Sequence, residues 1–352
     1  MSDHNIRIEQ IEQPLTPSLI DKITALWDHE DAVIADRNQR LSQVLLLAWA
    51  GEALAGVSST EVTHHSGIDK PLFIQRGIVG AEFRRQGVSY LLYQATVETL
   101  EDRFDEGLDT RAIGVFVEVE ADLAAELPSI FCSFSHTHSQ QTRPVQANLV
   151  CITEEGYPHY IYYFKNASLF MAGPSTEELT DKLADDGSGT TLQFCWRTLT
   201  SAQKEGLIDL WLSSGVINDR ETCLERLPQV AALALDGEKI VGIGSIFDTS
   251  FSAARANVFG FRSFISPDAR GSLLATKLLN LVFHELNKTY ADDPALQNKH
   301  GIAYLLQNDD LNKSVHLARS PLTNGCLASY INGLQLRLKY FDGASIDMTD
   351  QA

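Results

Sequence analysis

Apolar residues recur along this chain in two rhythms. Short alternating or continuous apolar runs, bounded by Gly, Pro, Asn or Asp, predict strands; longer stretches with apolar positions three and four apart predict helices. Strands are expected near residues 6–11, 43–50, 53–63 and 72–80, then a helix over 87–103 and a strand over 112–120. A short helix and a closing hairpin near 145–153 and 159–164 complete the series. Thr16 followed by Pro17 marks the start of an early helix, because Thr can cap free N–H groups and Pro suits the first turn. The helix at 87–103 carries Val88, Leu91, Leu92, Ala95, Thr99 and Leu100 at the spacing of a face that packs on a sheet.

The series then starts again. Leu47, Ala48, Gly51, Glu52, Gly56 and Ser59 recur as Leu233, Ala234, Gly237, Glu238, Gly242 and Ser245, all at an offset of 186 residues. In both places two apolar runs meet at Gly-Glu, the pattern of a β-hairpin. At the same offset Val79-Gly80-Ala81-Glu82-Phe83-Arg84 falls on Ile265-Ser266-Pro267-Asp268-Ala269-Arg270. Upstream, Leu26-Trp27 matches Leu210-Trp211, and Val33-Ile34-Ala35-Asp36-Arg37 matches Val216-Ile217-Asn218-Asp219-Arg220. The second copy opens with a strand at 192–199, a capping box at Thr200–Gln203 and, near its end, a hairpin turn at Asn332-Gly333. Gly173-Pro174 closes the first copy, and Asp185-Asp186-Gly187-Ser188-Gly189 reads as an acidic connector. The expected organisation is α+β: a first domain over 1–174, a linker over 175–190 and a second domain over 191–345.

With 352 residues and 44% hydrophobic residues, two buried cores are affordable. Against 46 Asp and Glu stand only 28 Lys and Arg, a net charge of −18. That disfavours nucleic acid and anionic membranes as partners, since both select clustered positive charge; the plainest reading of the acidity is solubility. No segment is apolar enough for a membrane helix, and the start, Met1-Ser2-Asp3-His4, does not predict a signal peptide. The five cysteines are scattered and never spaced Cys-x-x-Cys, which fits reduced thiols in the cytoplasm.

The most informative stretch runs from Gly77 to Ser89. A strand ends, a short basic loop turns, and an amphipathic helix begins. N–H groups at a helix start lack partners within the helix and form an anion site, aided by the helix dipole. Gly87 has no Cβ to hold a phosphate away, and Arg84 and Arg85 add positive charge. This stretch resembles motif A of the GNAT-type acetyltransferase superfamily, in which Arg or Gln, two residues, Gly, one residue and Gly or Ala follow a strand. Here it reads Arg84-x-x-Gly87-x-Ser89, with Ser in the last small position.

The resemblance implies two tandem GNAT-like domains, each a mixed, mostly antiparallel sheet flanked by helices. It implies acetyl-CoA as co-substrate, the pyrophosphate held by Arg84, Arg85, Gln86, Gly87, Val88 and Ser89 and the pantetheine arm paired with the strand at Ile78 and Val79. The second copy departs from the pattern: at the offset of 186, Leu273 stands where Gly87 stands. A register shift of two residues would instead bring Gly271 towards that position. The cofactor is assigned to the first domain, and a small-molecule amine is the expected acceptor, with a homodimer as a further partnership to consider.

Acyl transfer to an amine needs a base for the amine proton and an acid for the leaving thiolate. Glu118 and Glu120 share one face of the strand at 112–120 and are the candidate bases. The tyrosine acid of the resembled family is expected near Ile130 or Phe131 and is absent; His316 in the second copy is a substitute candidate. Tyr90 and Tyr93 read as packing or surface residues, and the aromatic run from Tyr157 to Phe164 as a terminal strand packing against its neighbours. His64-His65 and His136-Thr137-His138 have no third ligand at a confirming spacing, so no metal site is expected. The expected function is an acetyl-CoA-dependent N-acetyltransferase. The alternative is an acyl-CoA sensor or interaction scaffold on the same fold, which the missing tyrosines favour.

Overall fold

The computed structural model describes residues 6–119, 128–133, 145–169, 189–270, 273–307 and 317–346. The chain divides into two compact units, one within Met1–Ser168 and one within Leu169–Ile346. The expected linker at 175–190 lies almost wholly outside the described residues.

The first unit runs β1 (Ile6–Gln10), α1 (Pro17–His29), α2 (Arg37–Ser42), β2 (Val44–Ala50), β3 (Ala53–His65), β4 (Lys70–Val79), α3 (Val88–Asp105), β5 (Gly114–Glu118), β6 (Ile130–Ser133), β7 (Val145–Ile152) and β8 (Pro158–Tyr163). Its strands form one sheet in the order β1-β2-β3-β4-β5-β8-β7-β6. Among the described residues only β4 and β5 pair in parallel; every other neighbour is antiparallel.

The second unit repeats the plan: β9 (Thr191–Phe194), α4 (Ser201–Ser213), α5 (Arg220–Arg226), β10 (Val230–Asp236), β11 (Lys239–Phe251), β12 (Ala256–Ile265), α6 (Leu274–Thr289), β13 (Gly301–Leu305), β14 (Cys326–Ile331) and β15 (Leu334–Tyr340). Its sheet order is β9-β10-β11-β12-β13-β15-β14, with β12 and β13 the parallel pair. Both units are therefore α+β, each a mixed, mostly antiparallel sheet with flanking helices.

Local chemistry sets the element ends. Thr16 Oγ1 accepts from the Leu19 N–H at 3.3 Å, and Thr200 and Gln203 form a reciprocal capping box. The repeated Asp-Arg pairs mark helices that periodicity does not reveal. Asp36 caps α2 through the Gln39 N–H, and Asp219 caps α5 through the Thr222 N–H. The short helix expected after β5 falls largely on residues 120–127, which lie outside the described residues; Ile130–Ser133 is an edge strand paired with β7.

In the first unit α1 buries Ile23, Leu26 and Trp27 against Val44, Leu47, Trp49 and Val57. α3 lies on the opposite face, where Thr96 hydrogen-bonds Ser58 of β3 at 2.8 Å. Its buried face is rotated from the expected one: Tyr93, Thr96, Val97 and Glu101 are buried, whereas Leu91, Ala95 and Thr99 are half-buried. The repeated glycine in β3 and β11 lets the helix sit close. A Cβ on Gly56 would stand 3.0 Å from Leu92, and one on Gly242 would stand 3.4 Å from Leu278.

Candidate functional site

β4 and β5 share a very short ladder. They pair at Phe73–Val115 and Ile74–Phe116, and the pairing stops there. Among the described residues, β4 from Gln75 to Val79 keeps β3 on one side and has no strand on the other, while Val117 and Glu118 pair only with β8. The sheet is split at the C-terminal ends of its two parallel strands. An open strand edge offers main-chain donors and acceptors to any extended ligand. Ile78 and Val79 lie on this edge, half-buried and buried respectively.

The loop that follows turns in a defined way. The Gly80 N–H donates to the Ala55 carbonyl at 3.0 Å, and the Phe83 N–H donates to the Gly80 carbonyl at 2.8 Å. Arg85 and Gly87 then take left-handed φ values of 58° and 80°, and α3 begins. The Leu91 N–H reaches back to the Gly87 carbonyl at 3.0 Å. Before it, the N–H groups of Arg85, Gln86, Gly87, Val88 and Ser89 find no acceptor among the described residues. They make a crown of donors at the positive end of α3.

The two arginines of this loop differ. Arg84 forms an ion pair with Glu30, the residue that ends α1, and its Nε donates to the Val79 carbonyl at 3.3 Å. Glu30 also accepts from the Ala81 N–H at 2.8 Å, and its side chain is 4% exposed. Arg84 is thus a brace between loop and helix. Arg85 is exposed and holds no ion pair among the described residues, so it is the loop's uncompensated cation. The Gln86 side chain folds back onto the Glu82 carbonyl at 2.7 Å.

The second unit reproduces the turn and settles its register. The Ser266 N–H donates to the Val241 carbonyl at 2.9 Å, as Gly80 does to Ala55. Arg270 Nε donates to the Ile265 carbonyl at 3.3 Å, as Arg84 does to Val79. Leu273 precedes α6 with φ 53°, and its carbonyl accepts from the Lys277 N–H at 3.0 Å. It therefore occupies the place of Gly87, and the alternative register through Gly271 is excluded. A leucine side chain stands where the first unit leaves the backbone bare.

The split in the first unit is flanked by charged groups. Register places Arg76 and Glu118 on one sheet face, on either side of the unpaired ends. Arg76 donates to Glu61 at 3.0 Å, and Gln43 donates to the same carboxylate at 2.6 Å. Burial opposes ionisation of Glu61, yet these hydrogen bonds hold it below the usual carboxylate range. Burial, then the Arg76 charge, lowers Arg40 to about 10.

Glu118 does not stand alone. Its Oε2 lies 2.9 Å from His159 Nε2, and His159 Nδ1 lies 3.1 Å from His65 Nε2. Burial, then the nearby His159, pushes His65 down to about 4, so its ring is neutral at neutral pH. Cys151 is beside them, its thiol raised to about 11 by burial and by the Glu118 charge. Sequence reasoning found Glu118 by alternation and missed His159, whose pairing depends on the β5–β8 register. Glu120, His136, His138 and His316 lie outside the described residues. Tyr93 is buried, and Tyr90 is 37% exposed. At the corresponding positions of the second unit Leu305 pairs with Leu336, so the acid–imidazole pair has no counterpart there.

No family model matches the chain, and no curated protein matches it. Among solved structures, a GNAT-family acetyltransferase from Streptococcus pneumoniae is similar at 10% identity over 45% of this chain and 97% of that one, with a TM-score of 0.28. The ribosomal-protein-S5-alanine acetyltransferase from Vibrio fischeri is similar at 12% identity over 45% and 96%, with a TM-score of 0.30. A GCN5-related N-acetyltransferase from Sphaerobacter thermophilus is similar at 16% identity over 97% of both chains, with a TM-score of 0.24. The chain is similar to solved GNAT-family acetyltransferases, at scores too low to lend it their chemistry.

Proposed function

We propose that the first unit binds acetyl-CoA and transfers its acetyl group to the neutral nitrogen of a small amine. The observation that carries this reading is the crown of free N–H groups at Arg85–Ser89, placed where the open edge of β4 ends. The crown suits a pyrophosphate, and the strand edge suits the amide-bearing arm that leads from it. The arm would run into the split, between Arg76 and Glu118.

There the amine nitrogen attacks the thioester carbonyl, a C–N bond forms, and the C–S bond breaks as the thiolate leaves with its electron pair. Glu118 takes the amine proton, and His159 holds its carboxylate in place. With Leu273 in the place of Gly87 and Leu305 and Leu336 in place of the acid–imidazole pair, the second unit is read as support.

Isothermal titration of the intact protein tests the reading. Acetyl-CoA should bind, Gly87→Leu should abolish binding, and Leu273→Ala should leave it unchanged. Absence of binding to the unaltered chain would sink the proposal. Thiol release across an amine panel then separates an enzyme from a sensor, because a sensor binds acetyl-CoA tightly and releases no thiol with any acceptor.

A further inference from the structure

Three strands bring soft donor atoms to one point in the first unit. His65 ends β3, Cys151 lies on β7 and His159 on β8, and one donor atom from each lies within 4.8 Å of the other two. We propose that His65, Cys151 and His159 form a binding site for one zinc-class transition-metal ion, with Glu118 as its outer carboxylate.

The geometry fits such an ion. His65 Nε2 and His159 Nδ1 are 3.1 Å apart. Two imidazole nitrogens on a tetrahedral zinc stand about 3.3 Å apart, given bonds of roughly 2.0–2.1 Å. The far nitrogen of His159 meets Glu118 at 2.9 Å. A carboxylate there keeps the proton on Nε2 and turns the Nδ1 lone pair towards the cluster, the arrangement in which metal-bound histidines are usually held. His65 is 7% exposed, and its Nδ1 is buried with no hydrogen-bond partner. With its proton on Nδ1, the neutral ring presents the Nε2 lone pair to an ion.

Two imidazoles and a thiolate select zinc, cobalt or copper over magnesium or calcium. On binding, the Cys151 sulfur–hydrogen bond breaks, a metal–sulfur bond forms, and the proton leaves to solvent. Three protein ligands leave the fourth position to water. Cys151 and His159 are half-buried, so an ion can enter. The corresponding strand positions of the second unit hold Ser329 and Leu336, which rules out the same site there.

Cobalt titration of the intact chain, previously stripped with chelator, tests the site independently of acetyl transfer. One cobalt ion per chain should bind, with the visible bands of a tetrahedral ion and a thiolate charge-transfer band in the near ultraviolet, and zinc should displace it. Cys151→Ser should lose the charge-transfer band, whereas Cys223→Ser should keep it. Glu118→Gln should keep the bands and weaken affinity by about 10–100-fold. That variant leaves all three ligands in place, so it remains informative if Cys151→Ser does not fold. Absence of tetrahedral bands, a charge-transfer band that survives Cys151→Ser, or an affinity indifferent to Glu118→Gln would overturn the proposal.

Discussion

Gly87 and Leu273 share one backbone conformation with opposite consequences. A left-handed φ costs a residue with a Cβ about 1–2 kcal/mol, and glycine escapes most of that. Leu273→Gly should therefore stabilise the second unit by about 1 kcal/mol, measured as a shift in its thermal transition. Glu118→Gln should lower the turnover of acetyl transfer by about 100- to 10,000-fold while leaving acetyl-CoA affinity intact, a split that steady-state kinetics and titration read separately. Legibility at this scale follows a simple rule. Gly87 was readable because a backbone left bare for an anion is written directly as glycine. His159 was not, because its meeting with Glu118 is a matter of strand register across 41 residues. Glu30 was unreadable for the same reason: it meets the loop from 51 residues upstream.

Among the elements, the end of α1 is tied to the loop after β4. Glu30 accepts the Ala81 N–H and pairs with Arg84, so Glu30→Ala leaves a donor and a cation without their partner. It should cost about 1–3 kcal/mol of stability and speed amide hydrogen exchange at residues 81–84. The second unit has dispensed with this tie. Pro267 replaces Ala81 and has no N–H to satisfy, and Ser214 replaces Glu30 as the residue that ends its first helix. β13 of that unit has its own link, a hydrogen bond from the Asn257 N–H to His300 Nδ1 at 3.1 Å. Burial lowers His300 from the ordinary 6.5, so the folded chain binds fewer protons there than the unfolded chain. Stability should fall as pH drops below about 6.5, and His300→Gln should flatten that fall in a series of denaturant titrations. The repeat made most elements legible, because hairpins and the two long helices recur with their spacing intact. α2 and α5 escaped notice because six or seven mostly polar residues carry no period, and only the Asp that caps each one signals it.

At the scale of the whole molecule, two units of one plan differ in the places where chemistry would sit. Under the proposed function, titration should give one acetyl-CoA per chain, and Gly87→Leu should remove all of the binding. A second site that survives the substitution would show that Leu273 does not block its crown. The net charge of −18 gives this asymmetry a further meaning. On so acidic a chain, an anion is best held by aligned peptide dipoles and one exposed arginine, Arg85, with Arg84 already engaged by Glu30.

The crown of N–H groups has a consequence for inheritance. Its donors belong to the peptide backbone, so exchanging Gln86, Val88 or Ser89 for another residue of tolerable shape leaves every donor where it was. Such a cradle is transmitted through the path of the chain and hardly through its letters, apart from a glycine that keeps one turn bare. Lineages that carry it can drift until their sequences no longer recognise one another. Within this chain the same turn recurs on different letters, the Ser266 N–H meeting the Val241 carbonyl as the Gly80 N–H meets that of Ala55.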